Sequence, residues 1–99
     1  MPATIEKEKT VEEAIAELTT AARAVLDRIV YGFRDRQVTA QTLSTEFDLT
    51  LGQMSKILDE LEEAQLVRYE LIQSSYGGMV RAYQLSQSIV EYMEATQAK

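Results

Sequence analysis

The sequence predicts a mainly α-helical domain with one β-hairpin, in the order helix, helix, helix, strand, strand, helix. Three observations carry this reading. Threonines at positions 10, 39 and 50 each open a stretch whose apolar residues recur at helical spacing. Beyond Gln65 the period falls from about 3.6 to about 2 over two runs joined by Ser74-Ser-Tyr-Gly-Gly78. A short stretch with Ile89, Val90, Tyr92 and Met93 then returns to helical spacing.

The first helix starts at the capping box Thr10-Val-Glu-Glu13, where the hydroxyl accepts an early backbone N–H and Glu13 reaches back. Val11, Ile15, Leu18, Ala22, Val25 and Ile29 follow at heptad steps, and Gly32 marks the end. Leu26, Val30 and Phe33 widen this stripe. At about 1.5 Å per residue, one helix over this span is about 33 Å long, more than a small domain covers on one side. The stripe therefore serves both as a core face and as a pairing face. Residues 1–9, rich in Lys and Glu, read as a flexible arm, and residues 10–99 as a single domain.

After the charged break from Arg34 to Gln37, Val38 adds a short strand, and Thr39 caps a brief helix ending near Phe47 with Leu43 on the same face. Asp48-Leu49 makes a turn. The second box, Thr50-Leu-Gly-Gln53, opens a helix to about Ala64 whose Met54, Ile57, Leu58 and Leu61 form the buried stripe. Two helices separated by a tight turn form a helix-turn-helix unit over residues 39–64. Residues 66–73 and 79–85 are rich in β-formers, and the Gly pair lets the five-residue loop turn, so residues 66–85 form a hairpin. Ser86 or Ser88 caps the last helix, over residues 87–97.

Composition excludes more than it selects. The 99 residues include no Cys, His, Trp or Asn. Disulfides, thiolate nucleophiles, Cys- or His-based metal sites and the usual near-neutral base are therefore out of reach. No nucleophile and base stand in a recognisable arrangement, so neither an enzyme nor a cofactor or metal site is expected. The carboxylates at 59–63 read as a hydrated helix face, and Met54, Met79 and Met93 as core or interface filling. No apolar run approaches the roughly 20 residues of a spanning helix, and the polar start has no signal-peptide core. A cytoplasmic protein without a membrane partner is expected. The net charge of -6 opposes a basic sheath, so nucleic-acid binding has to come from local patches.

Residues 39–86 resemble the winged helix-turn-helix domain of small MarR-, ArsR- and PadR-like transcription regulators. The match rests on Leu43 to Phe47, the Asp48-Leu49-Thr50 turn, the helix with Met54, Ile57, Leu58 and Leu61, the phrase Leu61-Glu-Glu-Ala-Gln-Leu-Val67, and Arg81-Ala-Tyr-Gln-Leu-Ser86. The family usually has Gly after the third helix. Gln65 stands there instead and can take the left-handed conformation at a modest cost.

The resemblance implies that the helix from Thr50 to Ala64 enters the DNA major groove, with the Ser74 to Gly78 loop as a wing on the adjacent backbone. On that helix Gly52, Gln53, Ser55 and Lys56 point away from the buried stripe near the start, where Gln suits adenine, Lys guanine and Ser either base. Thr39, Thr42 and Thr50 are placed to hold phosphates through hydroxyls or backbone amides, Arg68 and Arg81 to reach the backbone from the strands, and Ser75 in the wing loop is counted among the DNA-binding residues. Tyr76 at the wing tip reads as a shield for the hairpin. The resemblance also implies a homodimer built by the outer helices, with Val11, Ile15, Leu18, Ala22, Val25, Ile89, Tyr92 and Met93 at its interface and recognition helices about 34 Å apart. The expected partner is double-stranded DNA. The alternative is a winged-helix protein–protein interaction module whose acidic helix face docks a basic partner.

Overall fold

Thr19 interrupts what the heptad spacing presents as one helix. In the computed structural model, which describes residues 10–97, α1 spans Val11–Ala16 and α2 spans Thr20–Gly32. The arm expected over residues 1–9 lies outside the described residues. Thr10 caps α1 as expected, with the Glu13 N–H donating to Thr10 Oγ1 at 3.1 Å and the Thr10 N–H to Glu13 Oε1 at 3.0 Å. Thr19 then caps α2 by accepting the Ala22 N–H at 3.2 Å. The second cap competes successfully with helix continuation because Glu60, from a later helix, takes both remaining donors of Thr19. Its carboxylate accepts the backbone N–H and the hydroxyl, each at 2.9 Å, and places negative charge at the start of α2, where the helix dipole favours it.

The break corrects the expected projecting helix. α1 turns back against α5 (Gln87–Gln97), and Val11, Ile15 and Leu18 pack, partly buried, against the core. Ala22, Val25 and Ile89, expected at a subunit boundary, are 0%, 1% and 1% exposed within the single chain. They belong to its own core and offer nothing to a second copy.

β1 (Val38–Thr39) pairs antiparallel with β3 (Met79–Leu85), Val38 opposite Tyr83 and Thr39 opposite Ala82. Thr39 ends that strand and caps α3 (Ala40–Phe47) through the Thr42 N–H at 3.3 Å. Asp48 takes the left-handed conformation at φ 57°, letting the Leu49 N–H reach the Ser44 carbonyl at 2.9 Å. Thr50 and Gln53 then form the expected capping box of α4 (Leu51–Glu63). Met54, Leu58 and Leu61 of α4 are fully buried with Leu26 and Ile29 of α2 and Leu43 of α3. Arg28 clamps α2 to α3 by donating to both Glu46 carboxylate oxygens, at 2.6 and 3.2 Å.

At the end of α4, Gln65 has φ 63°. Its N–H bonds to the Glu62 carbonyl at 2.9 Å, and the Leu66 N–H to the Leu61 carbonyl at 3.0 Å, the paired closure of a Schellman motif. β2 (Val67–Gln73) starts one residue later than the sequence suggests and pairs with β3 from Val67 opposite Leu85 to Gln73 opposite Met79. The sheet order is β1-β3-β2. In the connecting loop only Gly77 uses the freedom of glycine, at φ 94°. The Ser86 hydroxyl, expected as a possible cap of α5, instead donates to the Gln65 carbonyl at 2.8 Å.

Removing the Glu60 carboxylate with Glu60→Ala leaves two Thr19 donors unpaired, and urea denaturation should read a loss of about 1–2 kcal/mol. The Arg28 hydrogen bonds hold the Glu46 carboxyl below the usual carboxylate range. A lowered folded value stabilises above the unfolded pKa and is lost as pH falls through the folded one. The stability gap between the native chain and Glu46→Gln, followed by thermal denaturation, should therefore be present at neutral pH and close below the carboxylate range.

Candidate nucleic-acid interface

Three local decisions of the chain build one groove. Thr39 starts α3 at the edge of the sheet, Thr50 starts α4 after a tight turn, and Gly77 folds the hairpin back so that its loop overhangs both helix starts. The space between them is about 530 Å³. Of the residues singled out in the sequence, Thr39, Ser55, Ser75 and Arg81 line it together. Thr50, Gly52, Gln53 and Lys56 lie on the exposed first turns of α4 beside the groove. Arg68 is not brought to it. Arg68 pairs with Gln84 across the hairpin whereas Arg81 pairs with Leu71, and this alternation puts the two arginines on opposite sheet faces. With the Gln84 amide oxygen turned toward it, the Arg68 guanidinium donates two hydrogen bonds, at 2.6 and 2.9 Å.

Arg81 is the cation inside the groove. It stands over the Tyr69 ring, 4.5 Å from the centroid, and pairs with Asp59 at 3.4 Å. The Tyr83 hydroxyl first, then Tyr69 and Asp59, strengthen the hold of Arg81 on its proton, so the guanidinium is cationic at any working pH. Both members of the ion pair are about half exposed. Such a pair is weak, and a phosphate can replace Asp59. Lys56 makes no ion pair or hydrogen bond among the described residues, which leaves its ammonium group available.

One expectation needs narrowing. Gln53 Oε1 accepts the Thr50 N–H at 2.9 Å, so the side chain that was to read adenine through both oxygen and nitrogen has its oxygen engaged. Only the amide NH₂ remains as a donor. The Thr39 and Thr50 oxygens likewise accept helix N–H groups; the Thr39 hydroxyl also bonds with the Thr42 hydroxyl at 3.2 Å, and the Thr50 hydroxyl proton is left to donate to a phosphate.

The groove also has apolar walls, which were not singled out in the sequence except for Tyr76, read there as a shield for the hairpin. Leu51, 52% exposed, and Tyr76, 95% exposed, line it with Ile72 and Val80. The signal for Leu51 was present, since it falls off the buried stripe of α4 at the helix start. Among the described residues no group of three or more acidic, His or Cys side chains is placed to hold a metal ion.

No protein-family model matches the chain, and no curated protein matches it. Two solved structures are similar in fold. A possible transcriptional regulator from Methanosarcina mazei Go1 superposes with a TM-score of 0.66 at 22% identity, covering 95% of this chain and 83% of that one. Reduced HlyU from Vibrio cholerae N16961 superposes with a TM-score of 0.55 at 19% identity, covering 89% of this chain and 94% of that one. The helix-turn-helix of α3 and α4 followed by the β2–β3 hairpin makes this a winged helix-turn-helix fold.

A Cβ added at Gly52 meets nothing within 4 Å. Gly52→Ala should therefore stabilise α4 by about 0.5–1 kcal/mol through its better helix propensity, read as a raised midpoint in urea denaturation.

Proposed function

We propose that the chain is a homodimeric, sequence-specific double-stranded DNA-binding protein acting as a cytoplasmic transcriptional regulator of the MarR, ArsR or PadR kind. The observation that carries this reading is the convergence of Thr39, Ser55, Ser75 and Arg81 on one groove between the start of α4 and the wing. In this reading the first turns of α4 enter the major groove. Lys56 and Ser55 address base edges, the Gln53 amide donates to an acceptor such as guanine O6 or thymine O4, and Leu51 meets a thymine methyl group. The wing loop follows the adjacent backbone, and Arg81 exchanges Asp59 for a phosphate. The likeness to a possible transcriptional regulator supports the same reading.

Dimerisation enters because the charge of -6 works against DNA. Two copies double the cations presented to the duplex. Of the interface residues expected from the sequence, Val11 and Ile15 on α1, Leu18 in the link to α2, and Tyr92 and Met93 on α5 are partly buried and are the ones proposed to meet a second copy. No described helix is long and apolar enough to cross a membrane.

A protein-interaction role is the second reading, favoured by the apolar groove walls and by the exposed Glu62 and Glu63 on the rear of α4. Fluorescence anisotropy with mixed-sequence duplex DNA across a salt series separates the two. Binding should weaken with salt, Arg81→Ala should lower the log–log salt slope by about one, and Lys56→Ala should weaken the preferred sequence by about 1–3 kcal/mol. Absence of binding at low salt, together with stoichiometric co-purification of a basic protein, would replace the DNA reading with the second one.

A further inference from the structure

β3 lies between β1 and β2, so one edge of β2 has no strand beside it among the described residues. The Ser74 N–H bonds to the Gly78 carbonyl at 2.7 Å, and the Ser86 N–H to the Leu66 carbonyl at 3.0 Å. Because hydrogen-bonding direction alternates along a strand, the even-numbered residues of β2 direct their backbone groups to β3. Tyr69, Leu71 and Gln73 therefore turn theirs to the open edge, whereas Val67, in the same alternation, is buried. This edge is not blunted by Lys or Pro. It carries Tyr69 and Leu71, 38% and 58% exposed, and an unpaired row of this kind is a template for another strand.

We propose that β2 is a self-pairing surface, on which a second copy of the chain adds its own β2 antiparallel about a two-fold axis at Tyr69. Charge selects that register. With the axis at Tyr69, Arg68 of each copy stands opposite Glu70 of the other, giving two opposite-charge pairs that flank the Tyr69 pair. An axis at Glu70 sets two carboxylates against each other. An axis at Leu71 sets Glu70 against Ile72. Opposite charges directly across a pair of strands stabilise it and like charges destabilise it. Arg68 and Glu70 are both exposed, and each is steadied from within its own chain, Arg68 by Gln84 of β3 and Glu70 by the Gln37 amide just before β1. Their partners hold them in place without neutralising them. The two three-stranded sheets then join into one of six strands. Residues 67–71 do not line the groove, and this surface touches the proposed DNA face only where the Tyr69 ring carries Arg81.

The chain has no cysteine, which makes single-cysteine cross-linking a direct test of register. Residues facing each other at the axis have Cα atoms about 5.5 Å apart, within disulfide range. Under mild oxidation Tyr69→Cys should form a covalent dimer on a denaturing gel. Leu71→Cys should stay monomeric, since the two copies of that position lie about 13 Å apart. Equal or faster linking at position 71, or no linking at either position, overturns the proposal. Sedimentation equilibrium on charge variants gives an answer that does not depend on how well Tyr69→Cys folds. Arg68→Glu should weaken self-association by about tenfold, and adding Glu70→Arg to it should restore the association. Failure of the double reversal to restore it also overturns the pairing.

Discussion

The arrangement of this small domain turns on one carboxylate. Glu60 projects from α4 and takes the backbone N–H and the hydroxyl of Thr19 together. That contact stops α1, starts α2 and ties both to the helix that faces the groove. Without a negative partner at this point, the run from Val11 to Gly32 has the apolar spacing of one continuous helix, and α1 would project instead of packing on α5. Charge-assisted bonds to helix N-termini are among the stronger polar contacts available to an exposed side chain. Here one such contact decides the direction of a whole element.

The same economy appears in the caps. Thr10, Thr19, Thr39 and Thr50 each open a helix by accepting a backbone N–H three residues on. A threonine at each junction keeps the connections short, and short connections bring the starts of α3 and α4 close to the wing. The groove is thus a product of helix punctuation more than of any particular residue within it. Among the described residues its lining cation is Arg81, held over Tyr69 and lightly paired with Asp59, a compromise that keeps a guanidinium ordered but displaceable.

Much of this was legible in the sequence because the causes are local. The boxes at Thr10 and Thr50, the stripe of Met54, Leu58 and Leu61 with Ile57 at its partly buried margin, the left-handed Gln65 and the presence of the hairpin all follow from residues within a few positions of one another. The break at Thr19 was not legible, because the group that stabilises it is 41 residues away. A heptad pattern that continues across the break points the wrong way. For the same reason Ala22, Val25 and Ile89 read as interface residues when they are core. Ser86 is a comparable case: its hydroxyl finds the Gln65 carbonyl, a partner 21 residues distant, in preference to a local helix donor. At the groove, the winged-helix resemblance and helical position pointed to Thr39, Ser55, Ser75 and Arg81, which line one cavity. They could not show that the alternation of strand faces carries Arg68 to the other side, or that Gln53 is already engaged.

The closure after α4 has a mechanical consequence. The carbonyl of Gln65, presented by a left-handed residue, receives the hydroxyl of Ser86 where α5 begins, and the Ser86 N–H meets the neighbouring Leu66 carbonyl. The tail of the helix facing the groove and the root of the last helix are thereby riveted at one point. The placing of the last helix relative to the helix that faces the groove is therefore set at this junction, by two bonds that close the end of one element onto the start of the other.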